Sequence, residues 1–459
     1  MTRSQINIQA GELNFTFWES GDLFQAVSGQ AMINQLMTSP VDGSMNNLYL
    51  RFHDESSIRY VPMLGIHSES QVHQDGDRLV WVGNAEGVTY QVVFAPTAQG
   101  VWFWDVTVNG HGEKVDVIYG QDIGIADPGA VRSNEAYLSQ YIDHAVFEDD
   151  KWGYVVASRQ NQPQGGVFPY VQQGSLTRAT GYSTDGFQFF GLSYKETNIP
   201  ESLLKPSLAN EVYQYEFAYT ALQSETVVLN GEARFVFYGL FQANHAAAIK
   251  ELEYKDVVEQ AWNEYEAKRA GNASVAAGSA NALPKVSLNP ALGEPLRTMA
   301  MSEDEVNARF PASTRQQEER ADGELLAFFT DTYEHIVLKE KEMRVERPHG
   351  HILMSGNNVK LGKNVITTTS YMYGIFNSHI VVGNTNFNKM MSNARSALNI
   401  AKSSGQRIYV EMDGIFHLLT MPSLFEMGFN YVRWYYKTDQ DTLIVTNYTT
   451  LDTPEIRLH

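Results

Sequence analysis

Residues 101–110 read VWFWDVTVNG, and their two-residue alternation constrains the fold more than any other feature of the chain. In an extended strand, successive side chains point to opposite faces. Trp102, Trp104, Val106 and Val108 then share one face, and Phe103, Asp105, Thr107 and Asn109 the other. A helical repeat of 3.6 residues would scatter both sets. Similar runs recur between Gly, Asn and Asp punctuation up to about residue 240: LNFTFW, NLYLRFH, RLVWVG, VTYQVVFAP, KVDVIYG and VVLNGEARFVFYGLF. Short strands broken at that spacing predict an antiparallel sandwich. Trp102 and Trp104 have the chemistry to stack on sugar rings, but their continuity with two valines favours the core.

The pattern changes near residue 243. Ile249, Leu252, Val258, Ala261, Trp262 and Tyr265 follow helical spacing. Ala246–Ala248 favour helix and Gly271 offers a stop, which predicts a helix over 243–270. A Gly/Ala/Ser/Pro-rich stretch follows and reads as a loop. Ser302 with Glu305 three residues later forms a capping-box pattern for a short helix. STRQQEERADG is expected at the surface, helical or irregular. From about 324, strand-like runs return: HGHILMSG, QRIYVEM, YVRWYYK and TLIVTNYTT. The predicted fold is mainly β. A β-sandwich over 1–242 and a second β-sandwich region over 324–459 are joined by a helical linker over 243–323.

The 459 residues carry 34 Lys and Arg against 53 Asp and Glu, a net charge of −19. That field repels polyanions, so nucleic acid is not an expected partner. With no cysteine, disulfides, thiolate catalysis and Cys-ligated metals are excluded. The N-terminus shows no apolar signal core, and no run is long enough for a membrane helix. A soluble, cytoplasmic protein is the expectation. GxxxxGK[ST], GxGxxG in a βα context, HExxH and GxSxG are missing. His349 and His351 lie at i and i+2, on one face of a strand. With no third ligand in view, a structural role is favoured and no metal is expected.

The densest polar stretch is YGQDIGIADPGAVRSNEAYLSQYIDH, residues 119–144. Its Asp, Asn and Gln side chains have the chemistry of turn caps. Together with Tyr137 and Tyr141 they also have the mix of planar polar groups and rings that binds sugars. Asn134, Tyr137, Leu138 and Tyr141 fit a short helix, whereas Leu138, Gln140, Ile142 and His144 fit a strand. The residues alone leave both choices open.

The same stretch resembles the N-terminal region of glycoside hydrolase family 94 phosphorylases. So do VLKEKEMRVERPHGHIL (337–353), NSHIVVGNTNFNK (377–389) and MPSLFEMGFNYVRWYYK (421–437). The likeness is to the 1,2-β-oligoglucan branch and spans almost the whole chain, weakest over 271–322. It implies a galactose mutarotase-like supersandwich, a helical linker and an (α/α)6 catalytic barrel. It also implies a homodimer and phosphorolysis of a β-1,2-glucan with inversion, releasing α-glucose 1-phosphate. Inorganic phosphate would be the co-substrate, with no metal or organic cofactor. The general acid belongs to the barrel, for which no part of this sequence provides the helices. The chain is therefore expected to be a non-catalytic N-terminal portion, with the barrel in the same or a separate chain and no catalytic residue of its own. Its cleft candidates for a β-linked gluco-oligosaccharide are Arg132, Asn134, Glu135, Tyr137, Gln140, Asp143 and His144. The alternative is a free-standing carbohydrate-binding β-sandwich protein. An unusual glycosidase or epimerase ranks last, because no His and Glu pair declares itself.

Overall fold

The computed structural model describes residues 4–35, 38, 40–215, 217–271, 281–354, 366–373, 379–382, 407–449 and 454–458. They are mainly β. The chain divides into two compact units. The first holds residues 1–191 and 200–288, the second 192–199 and 289–459. The residues of the predicted linker are thus shared between the two.

The first unit is built around one large, mostly antiparallel sheet. Its strands include β1 (Asn47–His53), β2 (Val88–Pro96), β3 (Val101–Asp122), β4 (Ile142–Asp149), β5 (Gly153–Gln160), β6 (Ala218–Ser224) and β7 (Val227–Gln242), with helix α1 (Pro128–Ser139) between β3 and β4. β3 is 22 residues long. Its first half pairs with β2 and β7, its second with β1 and β6. The predicted alternation holds along it. Trp102, Trp104, Val106 and Val108 face a small four-stranded sheet of residues 5–32, and meet Phe15, Phe17 and Phe94 in a buried core. Each fully buried side chain of this size contributes about 1.5–3 kcal/mol.

The other face of β3 is covered as well. Val101 and Phe103 pack against helix α2 (Lys255–Gly271) through Val258, Ala261 and Tyr265. Asp105 ties the helix down. Its carboxylate takes two 2.7 Å bonds from Arg234 and one of 2.9 Å from the Tyr265 hydroxyl. Arg234 also reaches Glu266 at 2.7 Å, with its guanidinium 5.0 Å from the Trp262 ring.

α2 starts at Lys255, twelve residues after the predicted start at 243. The Arg159 guanidinium donates to the carbonyls of His245 (2.7 Å) and Ala246 (3.0 Å), and the His245 N–H donates to the Phe168 carbonyl (2.7 Å). Tyr254 sits at φ +62°, outside the helical region. Tertiary bonds thus override the propensity of the alanines, and Ile249 and Leu252 reach the same core from a non-helical segment.

A sheet of seven strands organises the second unit: β8 (Arg315–Ala321), β9 (Glu324–Thr330), β10 (His335–Leu338), β11 (Leu424–Met427), β12 (Tyr431–Lys437), β13 (Thr442–Thr449) and β14 (Pro454–Leu458), in that order. One face carries Val337, Phe425, Val432, Trp434 and Val445, and packs with Leu353, Met372 and Leu419. Helix α3 (Glu303–Arg309), with its capping box of Ser302 and Glu305, covers part of the opposite face through Val306. The charged run STRQQEERADG supplies β8, an edge strand and not a helix or irregular segment. Pairing with apolar β9 holds it extended while its charges face water.

Candidate functional site

The 119–144 stretch uses both of the readings left open, one after the other. α1 runs to Ser139, and β4 starts at Ile142. Asp127 caps the helix. Its Oδ1 accepts from the N–H groups of Gly129 (2.8 Å) and Ala130 (3.2 Å), and Pro128 opens the first turn. Val131 and Leu138 anchor α1 beside Met32 and Ala126. Asp122 is buried and accepts the Gln35 N–H at 2.8 Å. Both carboxylates therefore hold backbone.

Arg132, Asn134, Glu135 and Tyr137 lie on α1, with side chains outside the described residues. Gln140 is exposed in the turn that follows, and Asp143 is exposed on β4. His144, one position on, faces inward. Its Nδ1 lies 2.9 Å from the Ser158 hydroxyl, and its Nε2 has no hydrogen-bond partner among the described residues. Burial pushes its pKa down to about 4, so the ring is neutral. The turn itself is fixed from outside. Gln214 donates to the carbonyls of Ser139 (3.0 Å) and Ile142 (2.7 Å), and Asn161 donates its N–H to the Tyr141 carbonyl (2.8 Å). Gln140 and Asp143 are thus presented on a rigid support.

Behind the stretch runs a row of buried amides and hydroxyls that sequence reasoning missed. Gln173 donates to Gln121 (3.4 Å), Thr220 to Gln173, Tyr119 to Gln121, and Asn46 to the Tyr119 hydroxyl (3.4 Å). Burial raises the Tyr119 phenol to about 12. These groups hydrogen-bond without ionising near neutral pH, so they position and do not transfer protons.

A second polar cluster lies on the outer face of the seven-stranded sheet, and reading single strands missed it too. The register sets Glu426, Arg433 and Thr446 side by side on β11, β12 and β13, with Tyr431 opposite Tyr448. The buried Glu426 carboxylate accepts from the hydroxyls of Tyr431 (2.8 Å) and Tyr435 (2.6 Å) and from the Arg433 guanidinium (3.0 Å). Arg433 lies 4.5 Å from the Tyr431 ring centre. Burial raises the pKa of both phenols, and the Glu426 charge adds to it. Asn430, Tyr431, Arg433, Tyr435, Thr446 and Tyr448 line an open groove of about 440 Å³, together with Ile444. Only strand register brings these residues together. The signal in sequence was the motif at 421–437, whose alternate positions Tyr431, Arg433 and Tyr435 are polar or aromatic.

His349 is engaged by Glu342, its Nδ1 2.7 Å from the carboxylate. No three His, Asp or Glu side chains gather as metal ligands among the described residues.

Residues 16–239 match the SOGP N-terminal domain, and residues 310–459 match the glycoside phosphorylase supersandwich domain. These two segments belong to those domain families. Along 98% of its length the chain is 38% identical to a 1,2-beta-oligoglucan phosphorylase of Listeria innocua, and it spans 39% of that protein's length. It is therefore related to glycoside phosphorylases over both of its domains. Among solved structures, a GalM/aldose epimerase homologue from C. elegans is 7% identical, at a TM-score of 0.30. It covers 53% of this chain and 100% of its own. A polysaccharide lyase is 9% identical, at a TM-score of 0.28, covering 49% of this chain and 31% of its own. Among the described residues no helix is long and apolar enough to cross a membrane.

Proposed function

We propose that this chain serves as the N-terminal, non-catalytic portion of an inverting β-1,2-gluco-oligosaccharide phosphorylase, one that releases α-glucose 1-phosphate. The observation that supports this reading is the 38% identity to a 1,2-beta-oligoglucan phosphorylase, sustained over nearly the whole chain. A catalytic barrel, in the same or a separate chain, supplies the general acid and the phosphate site. Inorganic phosphate is the co-substrate, with no metal or organic cofactor. The part played by this chain is to support that barrel, to dimerise in the cytoplasm and to form one wall of the oligosaccharide cleft. The α1–β4 turn is the element assigned to the wall, since Gln140 and Asp143 are presented there on a fixed backbone.

The test assays the longest product of the gene and the 459-residue chain side by side, with sophoro-oligosaccharides and phosphate. α-Glucose 1-phosphate is expected from the assembly that holds a barrel and not from this chain alone. Phosphorolysis by this chain alone would overturn the reading. So would failure of the barrel-containing assembly on β-1,2-linked substrates.

A further inference from the structure

The groove on the outer face of the seven-stranded sheet has a built floor. Glu426 is 3% exposed and fixes two tyrosine hydroxyls and a guanidinium in one plane of the sheet. Its charge is paired with that of Arg433, and Glu334, 3.4 Å from the Tyr431 hydroxyl, adds a further negative charge. The floor therefore offers phenol rings, amide and hydroxyl groups and an already neutralised guanidinium, with no net attraction for an anion. Its volume of about 440 Å³ falls in the roughly 300–1,000 Å³ range of small-molecule sites.

Two exposed rings lie in turns at one end of the sheet, beside the residues that line the groove. Tyr333 is 70% exposed and Phe429 is 60% exposed, the two most exposed aromatic side chains among the described residues. Tyr333 sits in the tight turn between β9 and β10, Phe429 in the turn between β11 and β12. Because His335 pairs with Met427, both turns lie at one end of the sheet, the end where Tyr431 and Tyr448 begin and finish their strands. Tyr333 is also held at φ +72°, which a bulky residue adopts only at a cost. Neither ring belongs to a buried core cluster among the described residues.

We propose that this groove, built from residues other than those of the α1–β4 turn, is a saccharide-binding site that holds a β-linked gluco-oligosaccharide. Sugar C–H faces stack on Tyr333 and Phe429 at the rim, while hydroxyls bond to Arg433, Asn430 and the tyrosine hydroxyls of the floor. Two other classes of ligand fit worse. A peptide joining as an extra strand needs a free sheet edge, whereas β11, β12 and β13 are paired on both sides. An anion meets a chain of net charge −19 and a guanidinium already paired. That the saccharide is a β-linked gluco-oligosaccharide rests on the function proposed above; the capacity of the groove for a saccharide does not.

The experiment is calorimetric titration of the 459-residue chain with sophoro-, laminari- and cello-oligosaccharides, repeated on Tyr333→Ala, Phe429→Ala and Arg433→Gln. The wild-type chain is expected to bind a gluco-oligosaccharide saturably. Each rim variant is expected to weaken binding roughly three- to tenfold, as loss of one stacking contact implies. Arg433→Gln is expected to weaken it at least as much. The rim side chains are exposed, so their removal leaves folding intact even if Arg433→Gln does not fold. Absence of binding, or binding unchanged in both rim variants, overturns the site and leaves the phosphorylase assignment standing. Rim-dependent binding of laminari- or cello-oligosaccharides in place of sophoro-oligosaccharides supports the site and overturns the β-1,2 assignment.

Discussion

Acid should weaken the first unit through His144. In the folded chain this ring is buried and titrates at about 4, against 6.5 for the free side chain. Between those values the unfolded chain takes up a proton that the folded chain refuses. The neutral ring therefore costs nothing above about pH 6.5, and stability falls as the pH drops from there toward 4. The full difference is about 2.5 units, or on the order of 3 kcal/mol at 1.36 kcal/mol per unit. At pH 5 about 2 kcal/mol of it has been lost. His335 in the second unit is also pushed down to about 4, chiefly by burial, so the wild-type chain alone does not isolate one residue. His144→Gln keeps a hydrogen-bonding group near Ser158 and removes the titration. Urea unfolding of both proteins at pH 7.5 and pH 5.0, followed by hydrogen exchange over β4 and β5, gives the comparison. The variant should lose about 2 kcal/mol less than wild type over that interval. Equal losses, or a folded His144 that titrates near 6.5 by NMR, would refute the reasoning.

Other expectations follow from the same geometry. Arg51 is fully buried, bonded through Nε and Nη2 to Asp116 (2.7 and 2.6 Å) and through Nη1 to the Lys205 carbonyl (2.6 Å). Arg51→Met takes the guanidinium from that buried carboxylate, leaving it Gln223 (2.9 Å) and His53 (3.0 Å), and should cost roughly 3–5 kcal/mol in urea unfolding; a cost below about 1 kcal/mol would show the pair to be dispensable. Asp105→Asn removes the charge that seats α2, so limited proteolysis should begin to cut within 255–271, where wild type resists. Asn134→Ala or Gln140→Ala should lower turnover of sophoro-oligosaccharides several-fold only when the barrel is present; unchanged kinetics there would make the stretch a polar loop.

The strands were legible because burial on a sheet writes a period of two into the chain, and Trp102 to Val108 obey it on both faces. The early part of the predicted helix misled because Ala246–Ala248 are strong helix formers. What holds them out of a helix is Arg159, almost ninety positions earlier. The charged strand β8 was hidden because an edge strand needs no apolar alternation when its partner supplies the core. At the candidate site, composition located the α1–β4 stretch but not its faces. Asp143 and His144 differ by one position and point opposite ways, a distinction made by pairing with Arg159 and Ser158 on β5. The groove over Glu426 depends on three strands in register, and no single segment announces that.

The 22-residue strand β3 also sets a demand on the order of synthesis. Its partners are β1 and β2, made before it, and β6 and β7, completed only at residue 242. As the chain leaves the ribosome, the longest strand of the unit therefore waits for more than a hundred residues with one hydrogen-bonding edge open. Nascent chains halted in that interval should be the ones that associate with each other and with chaperones. Those extended past residue 242 have the means to close their own edge.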